Sequence, residues 1–179
     1  METEFSELSI LNKDTDTVNT KNCSYCNKPF TEKLWCKECI NSLAKLAENG
    51  DEKAMFNLAT CYHNEEGTEN NLEKAFHWYH KAAENNFKEA MFKLAKCYDN
   101  GEGAEKNLEK AFYWYQKAAE NGHEDAMFNL AKCYENGEGT EKNLEEAFYW
   151  YQKLAEYAFY WYQKAAENGD EVAMYNLAI

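Results

Sequence analysis

From residue 41 onward, apolar residues recur three and four positions apart in two alternating kinds of stretch, with polar turns between them. One kind is built on Ala54, Leu58, Ala59 and Tyr62, the other on Leu72, Ala75, Phe76, Tyr79 and Ala83. Both spacings are those of a helix with a single apolar face. Asn71, Asn107 and Asn143 stand where they would cap the second helix, and Gly101, Gly103, Gly137 and Gly139 mark the turn ahead of it. Glu65 replaces the earlier glycine in the first copy, so a different turn is expected there.

The pair of stretches repeats with a period of 36 residues: DEKAMFNLATCYHNEEGTENNLEKAFHWYHKAAENN is followed by FKEAMFKLAKCYDNGEGAEKNLEKAFYWYQKAAENG, and a third copy begins at His123. A helix pair of this size cannot bury its apolar face alone, whereas stacked copies share a continuous core. The predicted fold is therefore all-α, a right-handed α-solenoid of helix-turn-helix repeats. Its expected organisation is an acidic, disordered N-terminus (1–20), a four-cysteine motif (21–40) and the solenoid (41–179). Within the solenoid fall a half repeat (41–50), repeats at 51–86, 87–122 and 123–169, and a partial repeat at 170–179. The pattern A-x-x-x-L-A-x-C-Y, G-E-G, K-N and K-A-F-x-W-Y-x-K-A-A-E-N-G resembles the Sel1-like repeat over residues 51 to 179. That resemblance implies a tetratricopeptide-like scaffold or adaptor that binds other proteins. Secreted bacterial members of the family carry two bridging cysteines per repeat; this chain has one, Cys61, Cys97 and Cys133, each read as a small core residue.

The third copy breaks the period, because AFYWYQKLAEY at 147–157 is followed at once by AFYWYQKAAEN at 158–168. Eleven residues are close to three helical turns, so the two aromatic sets fall within about 20° of one another. Nothing at the junction breaks a helix, and one long helix from Leu144 to Glu167 is predicted. Only one of the sets Phe148, Trp150, Tyr151 and Phe159, Trp161, Tyr162 can fill the usual slot. The other is a candidate association patch for a homodimer, or the by-product of a duplication without function.

In arrays of this kind the first helix of each pair lines the concave face. The candidate partner-binding residues are Lys53, Phe56, Thr60 and His63, then Glu89, Phe92, Lys96 and Asp99, then Asp125, Phe128, Lys132 and Glu135. An aromatic ladder flanked by lysines suits an extended peptide with apolar anchors and acidic residues. The alternative is that the three phenylalanines pack between neighbouring first helices. The second-helix aromatics are read as inter-repeat core, and His63, His77, His80 and His123 as surface residues without a ligand partner.

Ahead of the repeats, Cys23, Cys26, Cys36 and Cys39 form two C-x-x-C pairs nine residues apart, a spacing that closes a tetrahedral Zn²⁺ site. A structural zinc ion is expected, and four protein ligands leave no open position for hydrolytic chemistry. The leader CNKPFTEKLWCKEC also resembles a cysteine motif that precedes kinase or Sel1 repeat regions in expanded fungal families, which implies a link to signalling chains.

Charge narrows the partners. The formal net charge is -13, and all 19 basic residues are lysine, so phosphate backbones and anionic membranes are repelled and no guanidinium fork is present. The first twenty residues lack a basic start and an apolar run, so a cytoplasmic protein is expected, with the nucleus as the other compartment. No Gly-rich phosphate loop or paired catalytic carboxylate is found, and the expected function is a non-catalytic interaction scaffold or adaptor. A self-associating structural module, or a truncated repeat fragment, is the alternative.

Overall fold

The computed structural model describes residues 21–22, 29–30, 37–64 and 70–173. Among the described residues the helices are α1 (Lys37–Glu48), α2 (Glu52–His63), α3 (Leu72–Glu84), α4 (Lys88–Asn100), α5 (Leu108–Glu120), α6 (Glu124–Asn136) and α7 (Leu144–Glu167). Among the described residues, substantial helix contacts join only sequence neighbours, from α1 on α2 through to α6 on α7. That pattern makes the molecule a helical solenoid rather than a bundle with a closed core.

The ends of the helices follow from local chemistry. The side chains of Asn71 and Asn107 accept hydrogen bonds of 2.9 Å from the amides of Lys74 and Lys110, and Asn143 accepts from Glu145 and Glu146 at 3.1 Å. The first helices α4 and α6 stop at Gly101 and Gly137, which take left-handed φ of 77° and 78°.

The core is a repeating set of small and medium residues. Ala54, Leu58, Ala59 and Cys61 of α2 are buried, with their counterparts Ala90, Leu94, Ala95 and Cys97 of α4 and Ala126, Leu130, Ala131 and Cys133 of α6. Alanines bring the backbones close, and Tyr79 and Tyr115 fill the space from the second helices.

Two features depart from the sequence-based reading. A two-residue antiparallel pair, β1 (Lys21–Asn22) with β2 (Pro29–Phe30), adds strand to an otherwise helical fold. Helix α1 also runs across the expected boundary at residue 40, so that Cys39 sits buried in the first helix of the solenoid. Cys23, Cys26 and Cys36, the acidic N-terminus, the first-copy turn at Glu65 and residues 174–179 lie outside the described residues.

Candidate protein-binding surface

The face carried by α2, α4 and α6 is built from one motif used three times. A phenylalanine of the first helix meets a tyrosine of the second: Phe56 and Tyr79 at 5.7 Å, Phe92 and Tyr115 at 6.0 Å, Phe128 and Tyr151 at 5.9 Å between ring centroids. Each tyrosine hydroxyl then reaches back to the last turns of the first helix. Tyr79 Oη pairs with Thr60 Oγ1 at 3.3 Å, Tyr115 donates to Asp99 Oδ2 at 3.2 Å, and Tyr151 donates to Glu135 Oε2 at 2.9 Å. Burial pushes the Tyr79 hydroxyl up to about 12, and raises Tyr115 with help from the Asp99 charge and hydrogen bond. These hydroxyls stay neutral and act as struts between the paired helices.

The ladder is not uniform. Phe56 and Phe92 are half-buried, because the residue that opens the next first helix covers each of them: Phe87 lies 5.3 Å from Phe56, and His123 stacks on Phe92 at 4.4 Å and 26°. His123 is thus no surface residue, contrary to expectation; its Nδ1 is buried and its pKa is lowered, chiefly by burial. The residue opening the next unit after α7 is Asp170, whose side chain caps Ala173 instead, and Phe128 is left 46 % exposed. Lys132 Nζ lies over the Phe128 ring at 5.9 Å.

Of the remaining candidates, Lys53, Lys96, Asp125, Lys132 and Glu135 are exposed, while Thr60, His63, Glu89 and Asp99 are half-buried. His63 bridges repeats: its Nε2 contacts Glu102 Oε2 at 3.1 Å across 39 residues of chain. Burial of Glu102 favours its neutral acid. Hydrogen bonds from His63 and Asn100, and the charges of His63 and Lys96, outweigh that effect, so its pKa is lowered. Sequence reasoning missed Glu102, Lys93 and Asn100, which with His63, Tyr79, Lys96 and Cys97 line a cleft of about 100 Å³ between the first two repeats. The Glu of each G-E-G turn was the available signal, but a turn carboxylate in sequence looks like any solvated charge.

Cys97 and Cys133 are pushed up to about 12 by burial, with Glu102 and Glu138 adding to the effect, so both are protonated packing groups. Among the described residues no cluster of three or more metal-ligating side chains forms, and no helix is long and apolar enough to cross a membrane.

Comparison with known proteins places this architecture. No curated protein matches the sequence. Among solved structures, a protective antigen of uropathogenic Escherichia coli strains, displaying an SLR fold, aligns with a TM-score of 0.63 and 30% identity over 75% of this chain and 34% of its own. A Sel1 repeat protein from Oxalobacter formigenes aligns with a TM-score of 0.62 and 29% identity over 77% of this chain and 66% of its own. Cysteine rich protein B of Helicobacter pylori gives 0.54 and 25% over 77% and 91%. This chain therefore spans about a third of the length of the E. coli antigen. The Sel1 repeat family model matches residues 52–87, 88–123, 124–156 and 155–170, the last two meeting inside α7. The chain belongs to the Sel1 repeat family, whose helical solenoids mediate protein–protein interaction.

Proposed function

We propose that the chain is a non-catalytic adaptor that holds an extended peptide along the face of α2, α4 and α6, anchored at Phe128. The observation that carries this reading is the difference between three equivalent rings: Phe56 and Phe92 are sheltered by the next repeat, whereas Phe128 is open and flanked by Lys132. An exposed aromatic beside an ammonium group suits an apolar anchor residue with an acidic neighbour. Lys93 and Lys96, at the mouth of the first inter-repeat cleft, extend the cationic character in a protein of net charge -13.

Capture of binding proteins on the immobilised chain tests the reading. Phe128→Ala should abolish capture with little change in melting temperature, while Phe56→Ala and Phe92→Ala should lower the melting temperature markedly. Full retention of a specific partner by the Phe128→Ala chain would overturn it.

The leader belongs to the same proposal as a structural cap. In this reading Cys23, Cys26, Cys36 and Cys39 hold a Zn²⁺ ion that ties the leader to α1. Two observations support it: the sequence sets Cys23 and Cys26 three residues apart, as it does Cys36 and Cys39, and Cys39 is buried in the first turn of α1. Such an ion would supply fold stability and no chemistry. Protein purified under reducing, chelator-free conditions should contain one zinc per chain; none would refute the cap.

A further inference from the structure

The junction between the first and second repeats and the one between the second and third are built alike but charged differently. At the first, His63 ends α2, Lys93, Lys96 and Asn100 belong to α4, and Glu102 follows in the turn, all lining the inter-repeat cleft that Tyr79 and Cys97 complete. Both oxygens of Glu102 are engaged there: Oε2 contacts His63 Nε2 at 3.1 Å, and Oε1 accepts from Asn100 Nδ2 at 3.0 Å. The two ammonium groups are left over, since among the described residues neither Lys93 nor Lys96 has a carboxylate within 4.0 Å. One period further on, the positions of His63, Lys93, Lys96 and Glu102 are taken by Asp99, Asn129, Lys132 and Glu138. The second junction therefore sets one lysine against two carboxylates, where the first sets two lysines and a histidine around one. The cationic excess is local to the first junction, in a chain of net charge -13.

We propose that this cleft binds a single carboxylate group, carried by an acidic side chain or by the C-terminus of the peptide that lies along α2, α4 and α6. The carrier rests on that peptide-binding reading; the carboxylate site itself does not. Size favours it, because a space of about 100 Å³ has the volume of roughly three waters, enough for a carboxylate and its adjoining methylene and too little for a nucleotide. Burial favours it as well: Lys93, His63 and Glu102 are half-buried, so charges among them are screened less than on open surface, while the exposed Lys96 stands at the rim. Tyr79 and Cys97 are buried and keep their protons, so neither adds a competing negative charge. Glu102 decides between anions, since it repels a phosphate dianion about twice as strongly as a carboxylate, and no guanidinium fork offsets that cost.

Acetate is the simplest probe. Titrated into the full chain against sodium chloride at equal ionic strength, it should shift the amide resonances of Lys93, Lys96, Asn100 and Glu102 saturably, with a dissociation constant on the order of 10 mM, and leave Asn129, Lys132 and Glu138 in place. Lys93→Asn installs the residue that the second junction already tolerates at Asn129, and should weaken acetate binding about threefold; Glu102→Gln should tighten it by about as much. N-acetylalanine and the α-methylamide of N-acetylaspartic acid then separate the two sources, the tighter ligand showing whether a terminal or a side-chain carboxylate is preferred. Phe128→Ala should leave acetate binding unchanged, so the cleft and the aromatic anchor fail separately. Shifts that do not saturate, that appear equally around Lys132, or that survive replacement of both Lys93 and Lys96 by Gln overturn the proposal. Tighter binding of inorganic phosphate than of acetate overturns it equally.

Discussion

A Cβ on Gly139 would run into the carbonyl oxygen of Leu108 and the Cβ of Phe112, and one on Gly103 into the same atoms of Leu72 and Phe76. Both glycines also sit at φ of 73°, so the turn of each repeat presses against the start of the preceding second helix at a point where only hydrogen fits. Gly139→Ala should cost about 3 kcal/mol, from overpacking added to backbone strain, as a lowered urea midpoint. Gly50, whose Cβ would meet nothing within 4 Å, should cost far less on the same substitution. The repeated glycines were visible in the sequence as turn markers, but the collision they avoid depends on the neighbouring repeat. The His63 and Glu102 pair was not legible at all. It joins non-equivalent residues, and at the next junction the same positions hold Asp99 and Glu138, which cannot pair. Because the folded-state pKa of Glu102 is depressed, its contribution to stability is present above the unfolded carboxylate value and is lost as pH falls through the folded one. Glu102→Gln should therefore flatten the acid side of the stability profile followed by thermal melts. An unchanged acid limb would show that the contact is idle.

At the scale of the element, α7 is where sequence arithmetic and packing part company. Eleven residues make close to three turns, so the unbroken helix followed from counting alone. What counting did not reveal is the consequence for Phe128. An extra eleven residues carry the start of the next unit about 16 Å further along the helix, and Asp170 arrives at the wrong place to cover the ring. Deleting residues 147–157 leaves AFYWYQKAAENGD directly after Glu146, which restores the period of the first two repeats. The shortened chain should remain helical, bind less of a hydrophobic dye, and show a melting temperature at least as high as the parent. A collapse of helix content on deletion would mean that the long helix is integral to the fold rather than an overhang.

Across the whole molecule, the lysines are spent on aromatic rings more than on carboxylates. Lys81 lies over Trp78 at 4.7 Å, Lys153 over Trp150 at 4.7 Å, Lys110 over Tyr98 at 5.2 Å and Lys164 over Trp161 at 5.3 Å. Among the described residues the single lysine–carboxylate contact within 4.0 Å is Lys117 with Glu120, on an exposed helix surface where such a pair contributes little. A chain of net charge -13 organised in this way carries unrelieved repulsion between carboxylates and few attractions for salt to weaken. Cation–π contacts at covered rings such as Tyr98, Trp150 and the half-buried Trp78 are screened less than exposed ion pairs, because the ring excludes water and counterions from one side. Added sodium chloride should consequently raise the melting temperature, most steeply at low ionic strength where the screening length changes fastest. The nearest-neighbour packing of the solenoid makes the argument local as well as global: each repeat repels the next through its own acidic turns, so screening should tighten every junction. A melting temperature that falls with salt would show instead that ion pairs between repeats, of the kind His63 makes with Glu102, dominate the electrostatics of the array.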